Sequence, residues 1–163
     1  MALAEFNALP AEEAAALLRR CADVPSFVSA VLTGRPYATV GALLDVARPS
    51  PLAWTDAEVE AALAGHPRIG ERPAGDDAAQ SRREQAGVDP ADAELARRLA
   101  EGNRRYEERF GHIYLVRAAG RTGPELLALL EQRLTNDDAT ERAVTRHQLA
   151  EIAIHRLSEL VGS

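Results

Sequence analysis

Signals that begin and end α-helices recur along the whole chain, and this recurrence constrains the fold more than any other feature. Pro10 precedes a run in which apolar residues recur every three or four positions, the spacing of a buried helical stripe. Thr55 and Glu58 form a capping box, and Gly65 ends the helix that the box opens. Similar signals predict helices over residues 11–21, 27–32, 42–47, 55–65, 89–110, from 124 onward, and from 136 or 137 to 160. The sequence therefore predicts an all-α fold of about seven to eight helices, in a single domain spanning residues 1–163.

Two segments interrupt this helical pattern. Residues 67–77 hold Pro, Gly, Arg and Asp without helical periodicity, which predicts a loop. Residues 113–116, Ile-Tyr-Leu-Val, are apolar and β-prone, but the sequence offers no partner strand. We therefore predict an extended connector there. Chemistry carried by either segment would lie on irregular backbone between helices.

Composition excludes several classes of function. The net charge is −6, and all 19 basic residues are arginines, so the chain has neither the basic face of a nucleic-acid binder nor a lysine for Schiff-base or phosphate-loop chemistry. The single cysteine, Cys21, excludes an internal disulfide and a cysteine-based zinc site. No apolar run reaches the length of a membrane span, and we expect a cytoplasmic protein. Any cation that binds a substrate anion must be an arginine.

His66 is the first candidate for chemistry. It follows the helix end at Gly65 and precedes Pro67, which biases His66 toward an extended backbone. Its imidazole would then stand on a rigid turn, and histidine titrates near neutral pH. A surface histidine with no function is the alternative.

A second candidate is the segment Ser81-Arg-Arg-Glu-Gln. The three- and four-residue spacing places Ser81, Glu84 and Gln85 on one helical face, with a hydroxyl, a carboxylate and an amide side by side. Such a face could bind a flat heterocycle with alternating donors and acceptors. A solvated charged helix face is the alternative.

The connector and the last helix carry further candidates. Backbone groups of residues 113–116 lack sheet partners, so they must bind neighbouring side chains or a ligand. Arg156 lies in an apolar stretch of the last helix, where a buried guanidinium needs an anion. His147, Glu151 and His155 recur every four residues but drift around the helix, which disfavours a metal site.

Four of these segments, in this order, resemble the OHCU decarboxylase family, whose substrate is 2-oxo-4-hydroxy-4-carboxy-5-ureidoimidazoline. The family shows a His-Pro-x-[Leu/Ile]-[Ala/Gly] turn, a Ser-x-x-Glu-Gln-x-Gly helix end, a Tyr-x-x-x-Phe-Gly segment before an apolar run, and an Arg-Leu pair in the last helix. The matching positions in this chain are residues 66–70, 81–87, 106–116 and 156–157. The resemblance covers nearly the whole chain.

The resemblance implies a helical enzyme, usually a homodimer, that converts OHCU to S-allantoin in urate degradation without metal or cofactor. It implies that His66 is the catalytic acid and Glu84 its carboxylate partner, which either fixes the imidazole tautomer or handles the substrate hydroxyl proton. The substrate contacts that it implies are Pro67, Ser81, Glu84, Gln85, Tyr114, Leu115, Val116, Arg117, Ala118 and Arg156.

Some positions depart from the family pattern. Residues 68–70 are Arg-Ile-Gly where many members carry Asp-Leu-Ala, and His112 and Tyr114 stand where phenylalanines are common. The pocket wall is therefore expected to be more polar than usual. Two alternatives remain, an enzyme of the same fold that acts on a different small acid and a non-enzymatic helical interaction domain.

Overall fold

The computed structural model describes residues 1–71 and 78–162, and this part of the chain is helical. It contains nine α-helices, eight of them seven residues or longer, and a short 3-10 helix at Ser50–Ala53. The α-helices are α1 Leu3–Ala8, α2 Ala11–Cys21, α3 Pro25–Thr33, α4 Val40–Ala47, α5 Asp56–Ala64, α6 Ala78–Glu84, α7 Ala93–Phe110, α8 Gly123–Arg133 and α9 Asp138–Val161. Across the described residues the only β-type pairing is an isolated bridge between Ala2 and Gly162. The all-α prediction is confirmed.

The chain divides into two compact units. The first comprises Met1–Gly65 and Leu149–Ser163, and the second His66–Gln148. A single domain over residues 1–163 stays a prediction. In the part of the chain that the structure describes, no helix is long and apolar enough to cross a membrane.

Large apolar side chains fill the interior of the first unit. Phe27 and Trp54 meet edge to face, with ring centroids 6.1 Å apart. The fully buried side chains include Phe6, Leu18, Phe27, Leu43 and Leu157. Helix α2 covers the predicted residues 11–21, and α5 begins with the predicted capping box, in which Thr55 Oγ1 accepts from Glu58 N at 3.2 Å.

The second unit is built around α7. Its core is formed by Ile69, Leu95, Leu99, Tyr106, Tyr114, Val116, Ala118, Leu126, Leu127 and Leu130. A Cβ added at Gly102 of α7 would lie 2.5 Å from Leu130 Cδ2 of α8, so any larger residue there would require the Leu130 side chain to move. Gly111 ends α7 in the left-handed conformation, at φ 77°.

The start of α7 differs from the prediction. The helix was expected to open at Asp89 and Pro90, but it begins at Ala93, because the Asp92 carboxylate accepts from Leu95 N at 2.9 Å and caps it. Asp89 instead closes a turn, in which its carboxylate accepts from Ala91 N at 2.9 Å. The first helix, α1, was not predicted. It has six residues, too few for a periodic pattern to show.

Candidate active site

Residues 66–70 form a non-helical turn after α5, and one side chain binds this turn at two places. Gln85 Oε1 accepts from Gly70 N at 2.9 Å, and Gln85 Nε2 donates to Arg68 O at 3.4 Å. Gln85 follows the last residue of α6, and its own backbone N–H donates to Ser81 O at 3.0 Å. The structure therefore brings together two of the predicted segments, the histidine turn and the Ser-Glu-Gln helix end. His66, Pro67 and Glu84 are all partly buried.

Helix α7 binds the same turn with two further side chains. Asn103 Nδ2 donates to Ile69 O at 3.0 Å, and the Ile69 side chain is buried in the core of the second unit. The guanidinium of Arg68 makes a two-pronged contact with Glu107, at 3.0 Å from Nε and 2.7 Å from Nη2. Glu107 raises the pKa of Arg68 through that hydrogen bond. The turn is thus bound at three consecutive residues.

Sequence reasoning missed Asn103. A signal for it existed, because Leu99, Asn103 and Tyr106 fall at the four- and three-residue spacing of the buried face of α7. A polar residue on a buried face needs a hydrogen-bond partner, and here the partner is the turn. The identity of that partner could not be read from spacing, because it lies 34 positions away along the chain.

Two of the three residues predicted for the polar face, Ser81 and Glu84, lie within α6. Ser81 is buried and Glu84 is partly buried at the last position of the helix. Gln85 lies just beyond the helix end, so it reaches the turn rather than continuing the helical face. The remainder of the predicted loop, residues 72–77, lies outside the described residues.

The predicted connector has no regular secondary structure, and protein groups bind its backbone. Leu115 O accepts from Arg133 Nη1, and Arg117 N donates to Gln148 Oε1 at 2.9 Å. The Tyr114 hydroxyl donates to Leu126 O at 3.0 Å, which fixes that buried ring against α8. The sequence left open whether this backbone binds neighbouring side chains or a ligand. Leu115 O and Arg117 N bind neighbouring side chains.

The arginine that binds the connector, Arg133, forms a buried ion pair with Glu141. Arg133 Nε donates to Glu141 Oε1 at 2.7 Å, and Glu141 is 0% exposed. Glu141 also accepts from the Tyr106 hydroxyl and, at 3.0 Å, from Asn136 Nδ2. Burial, followed by the hydrogen bond to Glu141, raises the pKa of Tyr106 well above its usual value. The two charges therefore neutralise each other inside the core, and each has further hydrogen bonds.

Two cavities adjoin these segments. One of about 300 Å³ lies against α7 and is lined in part by Arg68, Gly70, Leu99, Asn103 and Glu107. The other, of about 190 Å³, is lined in part by Val116, Arg121, Arg133, Val144 and Gln148. Each cavity touches one of the two non-helical segments.

Arg156 belongs to the first unit, whereas the other predicted site residues belong to the second. Its side chain is buried on α9, and its Nη1 donates to Arg20 O at 3.2 Å. Over residues 1–71 and 78–162, no group of three or more His, Cys, Asp or Glu side chains is placed to hold a metal ion.

Comparisons with known proteins show which sequences this chain is similar to. The sequence model described as OHCU decarboxylase matches residues 7–158. The chain is 31% identical over 156 residues to the 2-oxo-4-hydroxy-4-carboxy-5-ureidoimidazoline decarboxylase of Amia calva, covering 89% of this chain and 83% of that protein. It is 24% identical over 161 residues to the uric acid degradation bifunctional protein of Bacillus sp. (strain TB-90), covering 98% of this chain but only 32% of that protein.

Solved structures share the fold. A crystal structure of OHCU decarboxylase in the presence of (S)-allantoin superposes with a TM-score of 0.74 at 24% identity, covering 88% of this chain and 95% of that chain. A crystal structure of (S)-allantoin synthase gives a TM-score of 0.72 at 16% identity, covering 99% of this chain and 54% of that chain. At these identities the likeness shows the fold alone.

Fold and sequence together define a small helical carboxy-lyase. Since the family model covers most of its length, the chain belongs to the OHCU decarboxylase family, the decarboxylases of urate degradation. The resemblance found in the sequence is confirmed.

Proposed function

We propose that this protein decarboxylates OHCU to S-allantoin, the third step in the conversion of urate to allantoin, and that residues 1–163 act as one domain. Family membership and the Amia calva relative support the substrate. The observation that carries the proposal is the double hydrogen bond from Gln85 to Arg68 and Gly70, because it joins the His66 turn to the helix that bears Ser81 and Glu84.

In the proposed reaction His66 is the proton donor. The carboxylate of OHCU leaves the carbon next to a C=N carbon. As CO₂ departs, the electron pair of the breaking C–C bond forms a C=C bond to that carbon, and the π pair of the C=N bond moves to the nitrogen, which takes up a proton. The resulting enol-like species needs a proton delivered to one face, which sets the configuration of allantoin. A positioned acid accelerates such a step by about 10²–10⁴-fold, and histidine suits neutral pH.

Glu84 is proposed as the carboxylate partner of His66, and Ser81 and Gln85 as substrate contacts. Gln85 keeps hydrogen-bonding capacity for this role, because an amide has two donors and two lone pairs and the turn uses one of each. Pro67 and the backbone of residues 114–118 complete the proposed pocket.

Arg156 is proposed to contact a substrate oxygen that gains negative charge as CO₂ leaves. Such a contact strengthens in the transition state and therefore accelerates the reaction. A clamp on the departing carboxylate would stabilise the ground state instead and would slow decarboxylation. We further propose that the enzyme is a cytoplasmic homodimer that uses neither metal nor cofactor.

The test follows the decay of freshly generated OHCU by absorbance and the formation of S-allantoin by circular dichroism. The wild-type protein should accelerate both, whereas His66→Asn should lose about 10²–10⁴-fold in kcat while staying folded. His147→Asn, which removes an exposed histidine of α9, is the matched control and should retain activity. Wild-type turnover by folded His66→Asn would exclude the assigned acid. No acceleration by the wild-type protein would favour a different small acid as substrate, or a non-enzymatic role.

A further inference from the structure

Asn103 combines two features that rarely occur together in a helical core. Its side chain is 4% exposed and lines the cavity of about 300 Å³, together with Leu99 and Glu107 among others. Its Nδ2 donates to Ile69 O at 3.0 Å. Within the part of the chain that the structure describes, its Oδ1 has no hydrogen-bond partner. A buried amide is therefore retained on α7 although one of its two polar atoms has no partner in the described part of the chain.

Stability alone does not account for this residue. A buried oxygen without a partner destabilises a fold, because its hydration is lost without replacement. The neighbouring inward positions on α7, Leu99 and Tyr106, contribute buried apolar surface to the same core. What Asn103 adds beyond packing is one hydrogen bond, and its acceptor is the backbone of the turn that begins at His66.

We propose that Asn103 is a positioning residue for His66, which rests on the proposed role of His66 as the acid. Gln85 binds the turn at Arg68 and Gly70, and Asn103 binds the carbonyl between them, at Ile69. With these three consecutive residues bound, the peptide planes of the turn cannot rotate independently.

The backbone between His66 and the three bound residues, 68–70, has little conformational freedom. Only Pro67 separates His66 from the bound residues, and the proline ring restricts its own φ. The position from which the His66 imidazole projects is therefore set in part by Asn103, which has no proposed contact with the substrate. Fixing a reacting group in this way lowers the barrier because less orientation is lost at the transition state.

The key variant is Asn103→Leu, which is similar in size but donates no hydrogen bond. Its control is Leu95→Ala, a change on the same buried face of the same helix that removes packing but no hydrogen bond to the turn. A reacting group misplaced by about 1 Å can lose about 10²-fold in rate. We therefore expect Asn103→Leu to lose about 10²-fold in kcat with KM little changed, and Leu95→Ala to lose stability but keep kcat at a temperature at which it is folded.

A second measurement does not depend on the substrate. The ring nitrogen and carbon-bound proton resonances of His66, assigned by NMR through the His66→Asn variant, should shift in Asn103→Leu and not in Leu95→Ala. If the wild-type protein has no activity toward OHCU, the proposed function fails, and the resonances still report whether Asn103 orients His66.

Three results would overturn the proposal. These are a kcat for Asn103→Leu equal to that of Leu95→Ala, an effect on KM alone, or His66 resonances that do not move. Should Asn103→Leu fail to fold, Asn103→Asp takes its place, since it keeps the size and polarity of the side chain but its ionised form cannot donate to Ile69 O. The same three outcomes then apply.

Discussion

The His66 turn and the connector at residues 113–118 are both irregular segments of the second unit, yet different chemistry binds them. Two neutral amides, Gln85 and Asn103, bind the backbone of the turn, and the half-exposed side chain of Arg68 pairs with Glu107 and Glu71. The connector is bound by Arg133, whose charge is buried against Glu141. The turn therefore depends on small, separable interactions, whereas the connector depends on a buried charge network in addition to its hydrogen bond with Gln148.

Because of this difference, changes in the connector should mainly affect the free energy of unfolding, and changes in the turn should mainly affect the position of His66. A neutral hydrogen bond contributes about 0.5–1.5 kcal/mol, whereas breaking a buried ion pair by removing one partner costs about 3–5 kcal/mol. Removing the group that binds the connector, Arg133, therefore destabilises the core of the second unit. The turn can shift by fractions of an ångström in a protein that stays folded, so changes there affect chemistry first.

The largest effect is expected at the connector. Arg133→Met should destabilise the protein by about 3–5 kcal/mol, because Glu141 keeps a buried negative charge without its cation. The measurement is urea unfolding followed by far-UV circular dichroism. Arg98→Met, which removes the exposed partner of Glu131, is the control and should change stability by about 0.2–1 kcal/mol. Equal losses in the two variants would remove the contrast on which the comparison rests.

The next effect concerns Gly70 in the turn. Its φ of +84° is in the left-handed region, and an added Cβ would lie 3.2 Å from Leu99 Cδ1. Gly120 has nearly the same conformation, with φ +78°, but an added Cβ meets nothing within 4 Å. Gly120→Ala should therefore cost only the conformational strain of about 1–2 kcal/mol, and Gly70→Ala more. Thermal unfolding of the two variants isolates the contribution of the contact with Leu99. A smaller loss of stability in Gly70→Ala than in Gly120→Ala would contradict the tight packing of the turn.

A smaller effect is expected at Gln85. Gln85→Met removes both hydrogen bonds to the turn. Because the bond to Arg68 O is long, at 3.4 Å, and contributes little, the loss should be about 0.5–1.5 kcal/mol. Gln85→Glu keeps the acceptor for Gly70 N and loses only the longer bond to Arg68 O, so it should cost less. Chemical unfolding of both variants gives the comparison. If Gln85→Glu is the less stable of the two, the bond to Gly70 N is not the stronger one.

The smallest effect is expected at Arg68, whose guanidinium is half exposed. Arg68→Gln should lower the free energy of unfolding by about 0.2–1 kcal/mol, and high salt should reduce the difference from wild type. Unfolding curves at low and high salt measure both. A loss as large as that of Arg133→Met would show that the turn is bound as tightly as the connector.

Helix ends could be predicted from the sequence because caps are local. Thr55 and Glu58 are three residues apart and satisfy each other, so reading them requires no knowledge of the fold. The predicted start of α7 was wrong because two aspartates, Asp89 and Asp92, could each cap the helix. Only packing decides between them.

The candidate site was predicted in its parts but not in its connections. The histidine and the Ser-Glu-Gln segment were found by residue type and by resemblance. The bond between Gln85 and Gly70 spans 15 positions and that between Asn103 and Ile69 spans 34, and no spacing rule relates residues so far apart. The Arg133–Glu141 pair was also missed, because two charges eight positions apart across a helix boundary are indistinguishable from a solvated surface.

The placement of aromatic residues in the two units has an optical consequence. The single tryptophan, Trp54, is buried against Phe27 in the first unit, whereas the tyrosines buried most deeply, Tyr106 and Tyr114, lie in the second. Tryptophan fluorescence therefore reports the opening of the first unit, and the near-UV dichroism of tyrosine, two of whose three rings lie in the second unit, reports mainly the opening of the second. Coincident unfolding transitions by the two signals would indicate one cooperative domain, and separate transitions would indicate two.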